Sequence, residues 1–320
     1  MSTIIQKDPY TLGEIARCEY DSLEELNDKI QLAHEAQKAW RKKTIAERKS
    51  ILLHALTYFR TQENLICRQI SEEMGKPITQ SHNEMRSFFE RADHLMAIAE
   101  DSLKSQTIEN SKGVTRRIEH APLGTVLIIS AWNYPLIISL NGVFAALLAG
   151  NAVLLKHSIV TLSVGRHFAA AFGAMADAPG ILQHLIAQHS DIETIIEEQN
   201  VDHVVFTGST RGGREISRST GAAMISCHLE LGGKDAAYVA ADADPVSAAS
   251  SLVEGAMYNA GQSCCGIERV YVHESLYEDF IKAAQSCAEK YHLGDPLKKA
   301  TTMGPLVHAD SAELMRSQLT

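Results

Sequence analysis

The 320-residue chain is 45% hydrophobic and 22% charged, a composition typical of a globular protein and not of a disordered one. Its 30 basic and 39 acidic residues give a formal net charge of −9, which argues against a nucleic-acid-binding role. The longest apolar run, residues 136–155, is interrupted by asparagine and glycine, so it predicts a buried helix, a turn and a strand, and no membrane span.

Cysteine usage indicates a reducing compartment. No CxxC pair occurs, so neither a zinc ribbon nor a thioredoxin-like motif is expected, and we predict no metal site. The opening MSTIIQKDPYTLGE has no apolar core of the kind found in secretory signals, which favours a cytoplasmic location. The cysteines are scattered and most are expected to be small core residues: Cys18, Cys67, Cys227, Cys264, Cys265 and Cys287.

The first hundred residues have the apolar spacing of helices. Leu23, Leu26 and Ile30 fall on one face, and Asp21 or Ser22 is a plausible N-cap. Helical periodicity runs over residues 22–60, with further helices predicted over about 46–74 and 80–100.

From residue 114 onward the pattern changes to strands. A strand is predicted to begin at Val114, and continuous apolar runs then predict strands that are buried on both faces. Helices are predicted between them, so the strands form parallel βαβ units. The fold class is therefore α/β with a parallel, Rossmann-like sheet, which binds ligands at the carboxyl ends of its strands. The predicted strands are 125–130, 151–156, 202–209 and 223–231, and the first two connecting helices are 135–149 and 161–176.

A second α/β unit follows a pair of glycines. Strands are predicted at 235–240 and 269–272, each followed by a helix, 245–259 and 275–290. We place a domain boundary near Gly232–Gly233. Residues 1–232 are then the N-terminal helices with the cofactor-binding domain, and residues 233–320 are part of a catalytic domain.

Polar clusters follow several predicted strands, and each allows a plain structural interpretation. SAWNYP (130–135) is a tight turn or a site, and FTGSTRGG (206–213) has the glycines and helix start that favour a phosphate. LELGGK (229–234) places a carboxylate at the end of an apolar strand, where it serves either a structural ion pair or chemistry. The adjacent thiols of NAGQSCCG (259–266) suit packing, a metal, a disulfide or a nucleophile.

Together these motifs resemble those of the aldehyde dehydrogenase superfamily. The set comprises PLGTVLIISAWNYP, LAGNAVLLK, FTGSTRGGREI, LELGGKDAAYVAADAD, NAGQSCCGIERVYV and GDPLKKATTMGPLV, in this order. The resemblance extends from about residue 10 to the last residue. Within the superfamily the chain is similar to the non-acylating NAD(P)-dependent enzymes, including succinate-semialdehyde dehydrogenases, which oxidise aldehydes to carboxylic acids.

The resemblance implies three catalytic residues. Cys264, two residues after Gly-Gln, matches the nucleophile, whose thiolate forms a thiohemiacetal and then a thioester. Asn133 matches the amide that stabilises the oxyanion, and Glu230 matches the base that activates water for thioester hydrolysis. Glu230 also argues against a CoA-acylating relative, since such relatives generally lack this base.

The resemblance also implies an NAD or NADP site. Lys156 matches the lysine that binds the adenine ribose. Family NAD enzymes often read KPSE at this point, whereas this chain reads KHSI, so Ile159 replaces a carboxylate that would repel a 2′-phosphate. His157 either approaches that phosphate or simply packs, and NADP is allowed. The remaining cofactor-site assignments are Trp132, Ser158, Gly208, Ser209, Gly213 and Leu231.

Family members continue well beyond the final motif of this chain. We therefore expect a C-terminally truncated member whose catalytic domain is incomplete. One hypothesis is an enzyme that acts on a small-molecule aldehyde and forms a homo-oligomer. The alternative is a non-catalytic homologue or fragment that binds nucleotide or partners.

Overall fold

The computed structural model describes residues 3–111, 113–173 and 175–319. Helices and strands alternate from Thr125 onward, which confirms the α/β class. The strands are β1 (Thr3–Lys7), β2 (Glu14–Glu19), β3 (Gln106–Ser111), β4 (Val114–Ile118), β5 (Thr125–Ile129), β6 (Ala152–Lys156), β7 (Leu182–His184), β8 (His203–Gly208), β9 (Ser226–Leu231), β10 (Asp235–Val239) and β11 (Ile267–Val272). The α-helices are α1 (Leu23–Trp40), α2 (Ile45–Met74), α3 (Ile78–Ser102), α4 (Pro135–Leu148), α5 (Leu162–Gly173), α6 (His189–Glu197), α7 (Thr210–Ala223), α8 (Pro245–Met257), α9 (Tyr277–Ala288) and α10 (Ser311–Leu319).

Helix α1 begins where the sequence predicts. Ser22 is the N-cap, and its hydroxyl accepts a hydrogen bond from the backbone N–H of Glu25 while the Glu25 carboxylate accepts one from the backbone of Ser22. The predicted apolar face is buried at Leu26 and Ile30. At the other end, the indole N–H of Trp40 donates to the carbonyl of Leu147 at 2.8 Å.

A five-stranded sheet organises the larger part of the chain, in the order β7-β6-β5-β8-β9. Strand β5 pairs in parallel with both β6 and β8, and β6 pairs in parallel with β7. Every residue of β5 and β6 is buried, which explains why these two strands read as unbroken apolar runs.

The register of this sheet aligns the strand ends. Ile129, the last residue of β5, is opposite Lys156 of β6 and Phe206 of β8. The segments that follow these three strands therefore leave the sheet at the same edge, where parallel sheets bind ligands.

A smaller parallel pair forms a second α/β arrangement. Strand β10 pairs with β11, and Val239 lies opposite Val272. Val239, Ala249 of α8 and Phe280 of α9 form a buried apolar cluster. The elements predicted after residue 233 are thus present, with helix ends that differ by one or two residues.

The chain divides into two compact units that do not follow one cut in the sequence. Within the described ranges, the first unit comprises the chain up to Ile4, Cys18–Ile66 and Glu84–Glu230, and the second comprises Ile5–Arg17, Cys67–Asn83 and the chain from Leu231 onward. The assignment of 1–232 and 233–320 to separate functions stays a prediction. No helix in the described part of the chain is long and apolar enough to cross a membrane.

Several predicted boundaries differ in the structure, and the periodicity predicted over 22–60 is interrupted where α1 ends at Trp40 and α2 begins at Ile45. The strand predicted over 223–231 begins only at Ser226, because α7 continues to Ala223 and Met224 closes it with a left-handed φ of 57°. The helix predicted over 161–176 covers Leu162–Gly173, and Ala174 lies outside the described residues.

Buried histidines make the stability of the first unit depend on pH. Burial lowers the pKa of His157 and of His167 to about 4, and lowers that of His184 well below its ordinary value. The Nε2 atom of His184 has no hydrogen-bond partner among the described residues, so nothing offsets the burial of its charged form.

We expect the free energy of unfolding to fall between about pH 6.5 and pH 4. Below about pH 6.5 the histidines of the unfolded chain take up protons while the buried ones of the folded chain stay neutral. The contribution of these histidines to the unfolding free energy is therefore fully present above that pH and is lost as the pH falls. Each such histidine contributes about 1.4 kcal/mol per pH unit in this window. The measurement is urea denaturation across the window, with His184→Leu as the comparison. Carboxylates also titrate in acid, so the quantity to compare between wild type and variant is the slope of the unfolding free energy against pH. Equal slopes would contradict the prediction.

Candidate active site

The first polar segment of the sheet edge lies between β5 and α4. Trp132 and Asn133 are half-buried here, and Pro135 is the first residue of α4. The side chain of the N-cap residue, Tyr134, does not cap the helix. Instead, a carboxylate oxygen of Glu84 accepts hydrogen bonds from the backbone N–H groups of residues 136 and 137, at 2.8 and 3.3 Å.

Glu84 is a residue that sequence reasoning missed. Its side chain satisfies backbone donors that the first turn of any helix leaves open, and its negative charge suits a helix N-terminus. Glu84 thereby fixes the end of the loop that carries Trp132 and Asn133. Nothing in the local pattern of α3 indicates this role, because the partner is 52 residues away.

The second segment begins at the last residue of β6, which carries a buried ammonium group. Lys156 is only 8% exposed, and burial lowers its pKa. Within the described ranges no carboxylate or other acceptor forms a hydrogen bond with its ammonium group. A buried cation without a partner at the ligand-binding edge of a parallel sheet fits the hydroxyl or phosphate oxygens of a dinucleotide.

His157 lies inside the protein. It is 1% exposed, and its Nε2 and Nδ1 atoms lie 3.3 and 3.4 Å from the carbonyl oxygens of Pro135 and Ser158. Since its pKa is lowered to about 4, it is neutral near pH 7. The packing alternative describes this environment, and the approach of His157 to a phosphate stays a prediction.

The third segment joins β8 to α7. Ser209 caps α7, and its hydroxyl accepts a hydrogen bond from the backbone N–H of Gly212 at 3.1 Å. A Cβ at Gly212 would lie 2.7 Å from the ring of Phe206, so the turn requires glycine there. Gly208 precedes this cap and Gly213 is buried in the first turn of the helix. The 14-residue helix presents its N-terminus at the sheet edge, the position that favours an anion.

Glu230 is the penultimate residue of β9 and is exposed, so its carboxylate needs no partner to offset burial. A carboxylate oxygen lies 2.8 Å from Nε2 of His228, two residues earlier on the same face of the strand. The side chains are 64% and 61% exposed respectively, so this contact adds little stability. The carboxylate remains accessible to water, as a general base must be.

Cys264 and Leu231 belong to the second unit. Cys264 is exposed, and its pKa is raised, first by partial burial and then by the neighbouring Cys265. Gly233 packs against this loop, since a Cβ there would be 2.8 Å from the carbonyl oxygen of Cys264. The described residues contain no group of three or more His, Cys, Asp or Glu side chains that could hold a metal ion.

The structure thus places Asn133, Lys156 and Ser209 along one sheet edge of the first unit. It assigns the thiol of Cys264 to a loop of the second unit. The individual roles of these residues stay predictions.

Comparison with known proteins gives a consistent result. A family model described as "Aldehyde dehydrogenase family" matches residues 2–320. The succinate semialdehyde dehydrogenase [NAD(P)+] Sad of Escherichia coli is 29% identical, with 98% of this chain and 68% of that protein covered. A lactaldehyde dehydrogenase of Methanococcus maripaludis is 32% identical, with 95% of this chain and 66% of that protein covered. A crystal structure of succinic semialdehyde dehydrogenase from Streptococcus pyogenes in complex with NADP+ matches with a TM-score of 0.91 and 27% identity, and covers 98% of this chain and 70% of that one. The chain therefore spans about two thirds of the length of these relatives.

Proposed function

Because the chain belongs to the aldehyde dehydrogenase family, we propose that it oxidises an aldehyde to the carboxylic acid with NAD+ or NADP+. The observation that carries the proposal is a family match over residues 2–320 that includes the exposed thiol of Cys264. Related proteins are named for succinate semialdehyde and lactaldehyde, so we propose a small aldehyde as substrate.

In the proposed reaction the Cys264 thiolate adds to the carbonyl carbon and forms a thiohemiacetal. The developing oxyanion accepts hydrogen bonds from the side-chain amide of Asn133 and from the backbone N–H of Cys264. Because its pKa is raised, Cys264 must first lose its proton, which passes to solvent. When bound, NAD+ or NADP+ supplies the two-electron oxidant for conversion to the thioester.

Glu230 also acts in the second half of the proposed reaction. Its carboxylate takes a proton from water, and the resulting hydroxide adds to the thioester carbonyl. The carboxylic acid leaves, and the thiolate of Cys264 is regenerated. The hydrogen bond to His228 orients the Glu230 carboxylate in the resting protein.

The proposed dinucleotide site uses the edge of the five-stranded sheet. The partnerless ammonium group of Lys156 binds the adenine ribose, and the N-terminus of α7 with Ser209 faces the pyrophosphate. Gly208, Gly213 and Ser158 shape the surrounding backbone. Contacts from Trp132, His157 and Leu231 stay predictions.

Reduced nicotinamide formation from a panel of small aldehydes tests the function. The protein is incubated with either NAD+ or NADP+, and the carboxylic acid product is quantified in parallel. Equal amounts of reduced nicotinamide and acid are expected. Binding of the dinucleotide without aldehyde oxidation would instead support the non-catalytic alternative.

The residue at position 159 should govern cofactor choice. Ile159 is 40% exposed and carries no charge, whereas a carboxylate there would repel a 2′-phosphate. A charge-assisted contact from Lys156 to the phosphate is worth about 1.5–3 kcal/mol, or at least tenfold in affinity. We therefore expect NADP+ to bind at least as well as NAD+, and Ile159→Glu to weaken NADP+ about tenfold or more.

Calorimetric titration of both dinucleotides into wild type and variant checks this expectation, with Ile159→Gln as the uncharged control. A wild type that strongly prefers NAD+ would contradict the role of Lys156. Unchanged NADP+ affinity in Ile159→Glu would show that position 159 does not face the ribose.

We also propose a cytoplasmic homo-oligomer. The exposed apolar side chains of the β3–β4 hairpin, Ile108, Val114 and Ile118, support self-association. No disulfide joins the six cysteines, all of which lie within the described ranges, and this suits a reducing compartment.

A further inference from the structure

The backbone just before Cys264 adopts an unusual conformation. Asn259, Ala260 and Gly261 have φ angles of 54°, 55° and 72°. Asparagine and glycine tolerate this left-handed region, but alanine has no side-chain hydrogen bond to offset the steric cost. Such a conformation persists only where the surrounding structure enforces it, and it is frequent at functional sites.

One side chain from a distant helix holds the start of this turn. The Oε1 atom of Gln80, in the first turn of α3, accepts a hydrogen bond from the backbone N–H of Asn259 at 3.0 Å. Its Nε2 group donates to the carbonyl of Thr302 at 3.1 Å. Gln80 is 7% exposed and Asn259 is 1% exposed, so these bonds form away from solvent and are costly to leave unmade.

The end of the turn is fixed by a second glutamine. The Nδ2 group of Asn259 donates to the carbonyl of Gln262 at 3.2 Å, and the Nε2 group of Gln262 donates back to the carbonyl of Asn259 at 3.1 Å. The Oε1 atom of Gln262 accepts from the backbone N–H of Val307 at 2.9 Å. All these residues belong to the second unit. Gln262 is two residues from Cys264 in the sequence, whereas Gln80 lies on a different element, so a change at Gln80 leaves the loop's own sequence intact.

A neutral amide is the side chain that this position requires. Gln80 accepts from one backbone group and donates to another at the same time, which an ionised glutamate cannot do. An apolar side chain of similar length can do neither. The left-handed turn would then keep its strain and lose the contact that offsets it.

We propose that Gln80 is a positioning residue that holds the loop carrying Cys264 in the geometry of nucleophilic attack. The inference rests on the proposed function, in which Cys264 is the nucleophile. Gln80 acts through Asn259 and touches no reacting atom. A displacement of about 1 Å at a reacting group can lower the rate by about 10²-fold, so the loss of this tether should reduce kcat far more than it changes KM.

The test compares Gln80→Met with Ser81→Ala. Both replace buried polar side chains in the first turn of α3, but the hydrogen bond of the Ser81 hydroxyl is with Ser71, at 2.9 Å, and not with the loop. For each protein, the iodoacetamide labelling rate of Cys264 is measured relative to that of Cys287 on α9, together with kcat and KM. Cys287 serves as the internal reference for loss of global structure.

A released loop should give the reagent freer approach to the thiol of Cys264 and relieve the partial burial that raises its pKa. We expect Gln80→Met to raise the relative labelling rate of Cys264 by roughly threefold or more. In the same variant kcat should fall by roughly tenfold or more, with KM changed less than about threefold. Ser81→Ala should leave the relative labelling rate of Cys264 and kcat unchanged, even if it lowers the melting temperature as much as Gln80→Met does.

Equal changes in Gln80→Met and Ser81→Ala would overturn the proposal, as would a folded Gln80→Met with wild-type labelling and kcat. If Gln80→Met does not fold, Gln80→Glu takes its place. Glutamate keeps the size of the side chain and the acceptor for Asn259 but loses the donor to Thr302. Its relative labelling rate and kcat should lie between the wild-type values and those expected for a released loop. Wild-type values in Gln80→Glu would then overturn the proposal. If the wild type oxidises no aldehyde, the proposed function fails, and the labelling comparison still decides whether Gln80 holds the loop.

Discussion

Replacement of Cys264 by alanine is expected to abolish aldehyde oxidation, with a loss of roughly 10⁴-fold or more. Without this thiol no covalent bond to the carbonyl carbon forms, and neither the thiohemiacetal nor the thioester is reached. The measurement is the initial rate of reduced nicotinamide formation at saturating aldehyde.

Cys265→Ala is the matched control for this variant. The two thiols are adjacent and both are exposed, so their removal perturbs the loop to a similar extent. Most of the activity should survive in Cys265→Ala. Because the neighbouring thiol raises the pKa of Cys264, its removal should also shift the pH dependence of Cys264 alkylation to lower pH. Equal loss of activity in the two variants would contradict the assignment of the nucleophile.

Replacement of Glu230 by glutamine should slow steady-state turnover by roughly 10²–10⁴-fold, the usual effect of removing a positioned general base. Glutamine keeps the size of the side chain and can still form a hydrogen bond with His228, but it cannot take a proton from water. If hydrolysis becomes rate-limiting, rapid mixing should show an early burst of reduced nicotinamide followed by a slow phase.

Glu268→Gln provides a control of the same charge change. The carboxylate of Glu268 forms an exposed ion pair with Lys234 and has no assigned role in the reaction. This variant should turn over at nearly the wild-type rate. Wild-type turnover in Glu230→Gln would mean that another group activates water.

The parts of the fold that sequence predicts well are those in which burial dictates composition. Strands β5 and β6 are buried at every position, so their apolar runs define them without ambiguity. Among the strands that were missed, β2 exposes most of its side chains. Strand β2, with the sequence EIARCE, has no fully buried residue, so it lacks the alternation that marks a half-buried strand.

Some residues of the candidate site could likewise be placed from the sequence, and others could not. Lys156 and Ser209 follow strands that the sequence already defines, so their place at the sheet edge could be predicted. Glu84 and Gln80 could not, because their roles come from backbone partners 52 and 179 residues away. The lowered pKa of His157 comes from its burial, which the sequence does not show, so packing and phosphate contact were left as two alternatives.

Covalent trapping separates the proposed chemistry from every non-covalent alternative. Glu230→Gln is mixed with an aldehyde and NAD+ or NADP+, quenched in acid during the slow phase, and analysed by intact-mass and peptide-mapping mass spectrometry. The increase in mass should equal that of one acyl group, located on Cys264 and absent from the Cys264→Ala, Glu230→Gln double variant. An acyl group on Cys265 or another residue, or turnover with no covalent adduct, would contradict a reaction through a Cys264 thioester.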